Sequence, residues 1–424
     1  MNCRRSRFLA LGFGLFLSIV GWLQAPQAQM ISERAQRAQA FVDSIGVATH
    51  LRYLDTAYKH YDKLIKPRLK ELGVQHIRDG FGLGDGGTRQ KLRDLATLGI
   101  RSTLVMDPRN GTTPPDAVEI AKSVMTSVEA IEGPNEWDVN PKLSYAGKGF
   151  PEGVKRFHTE LYVAMKRDAE TNRLPVISPS LARPNNAAKI ENILCDLGNM
   201  HSYAGGNEPT AGLDDKYIPR AKQMCRSRPI VATECGWHNA MKGKAQAGIP
   251  VQVAGKYVSR LYLEYFKRGI QRAFIYELID ERKNISNSED NFGLLYSNGA
   301  PKPSFTALKN LITLLKDTST QFESRSLRYS LSDRSKTLHH SLFQKQNGRF
   351  YLILWQEVPS FDQRTQKVKT IPDRALTLTL QTPIRQAKLY TPLKSATALQ
   401  QIDRPKSLKL KVPDHPVVVE LIGG

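Results

Sequence analysis

Eight short runs of β-branched and apolar residues recur along the chain, each followed by a stretch with apolar residues at three-to-four spacing. The runs cover residues 44–49, 76–79, 102–106, 128–132, 176–180, 200–203, 230–234 and 274–278, with helical patterns between them at 57–72, 151–170, 251–268 and 304–316. Strands that alternate with helices must pair in parallel, because each return crossing is made by a helix. Eight such units in roughly 270 residues are the size of a (β/α)8 TIM barrel. A doubly wound open sheet is the competing α/β arrangement, but no G-x-G-x-x-G follows the first run to support a nucleotide-binding version.

After about residue 320 the texture changes to alternating runs near 350–355, 375–380 and 417–422, separated by Pro, Gly and Asn turns. This predicts a small C-terminal all-β domain, sandwich-like, over 320–424, packed on the barrel because no low-complexity linker precedes it. The first 28 residues read as an export signal: Arg4, Arg5 and Arg7 lead into an apolar run from Phe8 to Leu23 that closes on Ala25-Pro26-Gln27-Ala28. Cleavage after Ala28 would leave residues 29–319 as the barrel domain. No later stretch approaches eighteen apolar residues, so a secreted or periplasmic protein without stable membrane insertion is expected.

In a TIM barrel the reactive groups stand where the strands end. The fourth run ends in Glu132-Gly133-Pro134-Asn135-Glu136-Trp137 and the seventh in Ala232-Thr233-Glu234-Cys235-Gly236-Trp237. Two carboxylates from different strands, with aromatic faces nearby, are what glycosidic cleavage needs: one protonates the leaving oxygen and the other attacks or stabilises the anomeric carbon. Of the four Trp in the chain, Trp22 falls in the signal, and two of the other three follow these glutamates. Period-two counting back from Glu234 puts Ala232 and Ile230 on its inward face and Val231 and Thr233 toward the helices; His76 shares the inward face with Arg78.

These residues resemble the clan A retaining glycoside hydrolases, the cellulase-like superfamily of TIM barrels. Asn135-Glu136 and Glu234 look like that clan's acid/base and nucleophile motifs. Arg78 matches the arginine that supports the nucleophile, His201-Ser202-Tyr203 matches a His-x-Tyr, and Asn291-Phe292-Gly293-Leu294 with Pro301-Lys302-Pro303 resembles the segment leading into the last helix. The resemblance implies double displacement, with Glu234 attacking and Glu136 giving and then taking a proton. It also implies that Asn135 hydrogen-bonds the sugar 2-hydroxyl and that Arg78 and Tyr203 hold Glu234 anionic. Esterification of Glu234 would then let Glu136 release its proton and turn from acid to base. Where the clan often places a Trp after strand eight, this chain has Tyr276-Glu277. The sugar platform is therefore Trp137, Trp237 or Tyr276, and Glu277 is either a hydroxyl-binding residue or a rim salt bridge. The loops 137–150 and 239–250 are long and are expected to wall the cleft.

Removal of the signal leaves Cys195, Cys225 and Cys235; Cys195 with Cys225 is the expected pair, since Cys235 adjoins Glu234. Lys and Arg number 61 against 40 Asp and Glu, a net charge of +21. A nucleic-acid partner would need a basic recognition helix, an RNA-binding aromatic pair or zinc ligands, and the sequence has none. Neither a metal site nor a cofactor is indicated by C-x-x-C or H-x-x-x-H spacing. The expected partner is thus a polysaccharide or oligosaccharide. The basic charge serves either an anionic glycan or solubility and association with an acidic envelope. A non-catalytic carbohydrate-binding protein and a transglycosylase are the competing readings of the same residues.

Overall fold

The structure, a computed structural model, describes residues 29–242, 247–318 and 321–423; the expected export signal lies outside them. The barrel strands, in chain order, are Ile45–Ala48, His76–Asp79, Arg101–Val105, Val128–Glu132, Val176–Ile177, Gly198–Ser202, Ile230–Cys235 and Arg272–Ile275. They form one parallel sheet in the spatial order five-four-three-two-one-eight-seven-six. A parallel bridge between Ile177 and Leu197 links strands five and six at the seam. This is the predicted (β/α)8 barrel. Strand five stops early because Pro179 has no amide hydrogen for the ladder.

The helices fall where the apolar spacing places them, at Glu152–Arg167, Val251–Lys267 and Pro303–Leu315. One does not. The pattern over 57–72 resolves into a 3-10 turn at Ala57–Lys59, a wide turn at Tyr61–Ile65 and a short helix at Lys66–Leu72 with Pro67 in its first turn. Proline lacks the donor that a continuous helix would require there.

The C-terminal region forms two sheets around a shared apolar core. The four-stranded sheet joins Ser326–Leu331, Arg374–Leu380 and Ser407–Val412 to a strand from the other end of the chain, Ile31–Arg34. The six-stranded sheet likewise takes Gln36–Arg37 on its edge, so residues assigned from sequence to the barrel domain are built into the β domain. In Ser407–Val412 every second residue is buried, with Lys409 and Lys411 outward, as a half-buried strand requires. Phe350–Gln356 is buried on both faces: Leu352 and Leu354 enter the sandwich core, while Tyr351, Ile353 and Trp355 pack into the barrel's core. Helix Val251–Lys267 receives this face. Its fully buried Arg260 and Glu264 bond Glu357 at 2.7 Å and the Trp355 indole at 2.8 Å. Cys195 and Cys225 are joined as a disulfide, and Cys235 is a buried free thiol. No helix among the described residues is long and apolar enough to cross a membrane.

Candidate active site

A cavity of about 500 Å³ opens at the C-terminal ends of the barrel strands, and Arg78, Asn135, Glu136, His201, Tyr203, Glu234 and Tyr276 line it. Strand seven delivers Glu234 through an irregularity. Val231 lies opposite Asn199 and Glu234 opposite His201, while Ala232 and Cys235 lie opposite Ala273 and Ile275. Strand seven thus carries one residue more than either neighbour, a bulge. The alternation expected from the sequence fails there. Thr233, assigned to the helix side, instead has its hydroxyl 2.8 Å from Asn199 Oδ1 and 3.0 Å from both Glu132 Oε1 and His201 Nε2.

Both oxygens of Glu234 are engaged. Arg78 Nη1 donates to Oε1 at 2.7 Å and the Tyr203 hydroxyl to Oε2 at 2.6 Å. Arg78 also reaches Glu132 through Nε at 2.6 Å and Nη2 at 2.9 Å, so the guanidinium fork spans two buried carboxylates. Burial alone would raise the Glu234 carboxyl; the charges of His201 and Arg78 and the hydrogen bonds from Tyr203 and Arg78 outweigh it and hold it below the usual carboxylate range. His201 Nδ1 lies 2.6 Å from Glu136 Oε1 and 3.4 Å from Glu234 Oε2. Burial disfavours a charged His201, but Glu234 and Glu136 overcome that and raise its pKa.

Glu136 occupies a left-handed backbone conformation, φ +50°, which is rare for a residue with a side chain and must be held by its surroundings. Trp137 supplies part of that hold. Only 2% exposed, it donates its indole N–H to Asp107 at 3.0 Å, while Asp107 Oδ2 accepts the Asn135 amide at 2.9 Å and faces Arg109 Nε at 3.0 Å. The Asn135 side-chain oxygen accepts from Arg78 at 2.8 Å and Ser180 at 3.1 Å, which leaves its nitrogen to donate to a ligand. Trp137→Phe keeps the ring and loses the donor. If Trp137 acts as this clamp, kcat should fall about tenfold with KM within about twofold, as for a small misplacement of a reacting group; a rise in KM at constant kcat would mark it as a sugar platform instead.

Trp237 and Glu277 are not among the residues lining the cavity. The Trp237 indole donates to the Asn207 carbonyl at 3.0 Å and its ring lies 5.3 Å from that of Tyr257. Glu277 is fully buried and takes the Tyr58 hydroxyl at 2.8 Å. Burial, then the charges of Glu281 and its neighbours, push its pKa well up. Of the three aromatic candidates Tyr276 is the one in the wall, its hydroxyl 3.1 Å from His50 Nε2 and its ring edge-on to Phe292. Gly293 lets the Phe292 segment approach, since a Cβ there would stand 2.0 Å from the Asp280 amide nitrogen.

The sequence reading missed His50 and Tyr53, whose rings stack at 4.5 Å in the wall, and Glu289, also in the wall. His50-Leu51-Arg52-Tyr53 directly follows the first run, so the strand-end rule was the available signal. Glu289 is exposed at the rim of that wall. The long loops 137–150 and 239–250 contribute nothing to the lining among the described residues; the segments after strands one, six and eight do.

Two groups of side chains could bring ligand atoms within 4.8 Å of one another around a metal ion: His50, Glu277 and Glu281, and Glu136, His201 and Glu234. In the second, both oxygens of Glu234 already accept from Arg78 and Tyr203; in the first, one oxygen of Glu277 already accepts from Tyr58.

Among solved structures, the chain is similar to a family 39 glycoside hydrolase from the gut symbiont Bacteroides cellulosilyticus WH2, with TM-score 0.62 and 16% identity over 90% of this chain and 82% of that one. It is similar also to a glucosidase from Croceicoccus marinus, with TM-score 0.61 and 10% identity over 94% and 99% of the two chains. An endo-β1,6-glucanase matches with TM-score 0.51 and 11% identity over 92% and 93%. These are likenesses of fold, and they extend over barrel and β domain together. No protein-family model and no curated protein matches the chain.

Proposed function

We propose that the protein is a retaining glycosidase that cleaves a β-linked bond in an extracellular or cell-envelope polysaccharide, with Glu234 as nucleophile and Glu136 as acid/base. The observation that carries this reading is the placement of the two carboxylates: within 4.8 Å at their nearest oxygens, bridged by His201, on the wall of one cavity. So close an approach of the nearest oxygens favours the retaining arrangement, whose carboxyl groups stand about 5–5.5 Å apart, over the inverting one at about 6.5–9.5 Å with room for a water. The chemistry runs in two displacements. Glu234 forms a bond to the anomeric carbon as the glycosidic C–O bond breaks and the Glu136 proton passes to the departing oxygen; water, losing a proton to Glu136, then releases the sugar. Asn135 Nδ2 is the donor for the 2-hydroxyl, and Tyr276 offers the apolar face. The Cys195–Cys225 disulfide supports action outside a reducing cytosol. The net charge of +21 supports an acidic glycan, although the cavity wall itself sets Arg52, Arg78, Arg109 and Lys216 beside five carboxylates.

The test is glycan release by the purified protein on paired neutral and uronic-acid polysaccharides, run beside Glu136→Gln. Release by the wild type, with the variant slowed about 10²–10⁴-fold on unactivated glycans and far less on aryl glycosides whose leaving group needs no proton, is the expected result. Equal slowing on both substrate types would remove Glu136 from the acid role, and binding without release would make the protein a lectin.

A further inference from the structure

We propose that the C-terminal β domain is a working part of the active site, with Gln363 as a positioning residue that fixes the segment after strand six and, through it, Tyr203. The inference rests on the reading of Glu234 as nucleophile and assigns the β domain a role in holding it.

Between strand six and the helical turn at Leu213–Tyr217, which leads into the helix Ile218–Cys225, the chain runs through turns alone, closed by Asn207 N to Ala204 O at 3.2 Å, Ala211 N to Glu208 O at 3.1 Å and Leu213 N to Thr210 O at 3.1 Å. Such a stretch is set by what it touches. Two of its ties come from the β domain. Gln363, in the hairpin of Phe361–Asp362 and Lys367–Val368, donates Nε2 to Asn207 Oδ1 at 2.7 Å. Glu357, locked by Arg260 at 2.7 Å, accepts the Thr210 hydroxyl at 3.1 Å. The hairpin also lies directly on the segment, since a Cβ added at Gly206 would stand 2.5 Å from Gln363 Cγ. Phe361 is buried in the barrel's own core cluster, which anchors the hairpin.

The other end of the segment reaches the chemistry. Tyr217 lines the cavity and donates its hydroxyl to the Tyr203 carbonyl at 2.6 Å, and the Tyr203 hydroxyl donates to Glu234 at 2.6 Å. Trp237 closes the path from the other side by donating to the Asn207 carbonyl at 3.0 Å. A shift of the hairpin is therefore a shift of the group that holds the nucleophile's charge.

The experiment compares full-length wild type, Gln363→Ala, Gly206→Ala and the double variant, by hydrogen–deuterium exchange over residues 204–217 and by kcat/KM against pH on aryl β-glycosides. Gln363→Ala should speed exchange in that segment and lower kcat/KM about 3–10-fold, the scale of a slight misplacement of a catalytic group. The acid limb of the profile should move to higher pH as Tyr203 donates less well to Glu234, with the unfolding midpoint unchanged. Gly206→Ala should act alike, and the double variant should be no worse than the poorer single one, because truncating the Gln363 side chain leaves the room the new methyl needs. Unchanged exchange overturns the proposal, as do faster exchange with unaltered turnover and additive losses with a fixed pH profile. If the wild type turns over no glycoside, the hydrolase reading fails; unchanged exchange over 204–217 in Gln363→Ala then still overturns this proposal, and faster exchange supports it only if glycan affinity falls with it.

Discussion

On the proposed mechanism, Glu234→Gln is expected to abolish turnover, by about 10⁴-fold or more, because an amide cannot form the glycosyl ester on which that mechanism depends. The loss should fall on kcat while glycan binding persists, since Gln still fills the space between Arg78 and Tyr203. Glu234→Ala gives the sharper reading. It opens a space where a small anion such as azide can attack the anomeric carbon from the vacated face, giving a product of inverted configuration. The corresponding Glu136→Ala variant should yield azide product with retained configuration, because there azide enters in the second displacement. Product configuration read by NMR assigns the two roles; inverted product from Glu136→Ala would exchange them, and retention of full activity by Glu234→Gln would end the double-displacement reading.

Arg78→Ala should be the most damaging single change to the fold at the barrel mouth. Arg78 is 5% exposed and serves Glu132, which is fully buried, together with Glu234 and Asn135. Removing one partner of a buried pair strands the opposite charge and costs about 3–5 kcal/mol. The pH dependence follows from the sign of the Glu234 shift. In the wild type its pKa is lowered, so its contribution to stability is present above the unfolded value and is lost as pH falls through the folded one. Without Arg78 the burial of Glu234 meets less opposition and its pKa rises, so the variant should regain part of its deficit between pH 7 and pH 5. Denaturant unfolding at the two pH values checks this; an equal deficit at both would show that Arg78 acts through packing alone. Arg78→Lys should fold better yet remain impaired, because one ammonium cannot span three acceptors.

The barrel and the carboxylate pair were legible in the chain because both follow from local pattern: strand and helix periods alternate, and reactive groups collect where strands stop. What escaped belongs to pairing across strands and to the third dimension. The bulge that brings Thr233 inward is an extra residue relative to two neighbours, visible only once all three strands are aligned. Trp137 and Trp237 follow their glutamates in sequence, yet nearness along the chain does not fix a direction, and both indoles are spent on Asp107 and Asn207. Glu277 reads from sequence as a hydroxyl-binding residue or a rim salt bridge because nothing in Tyr276-Glu277 reveals that Tyr58 and His50 cover it. The disulfide was legible for a chemical reason, the need to keep the residue beside Glu234 uncross-linked.

The strand Ile31–Arg34, paired residue by residue with Ser326–Leu331, sets the order in which this molecule can be assembled. A ribosome emitting the chain releases the whole barrel before the partner of that strand exists, a separation of about 300 residues, so the first ordered segment must wait for the last domain. Until then its backbone edge is unpaired. The pairing of the two strands is accordingly a contact of very long sequence separation, of the kind that slows folding.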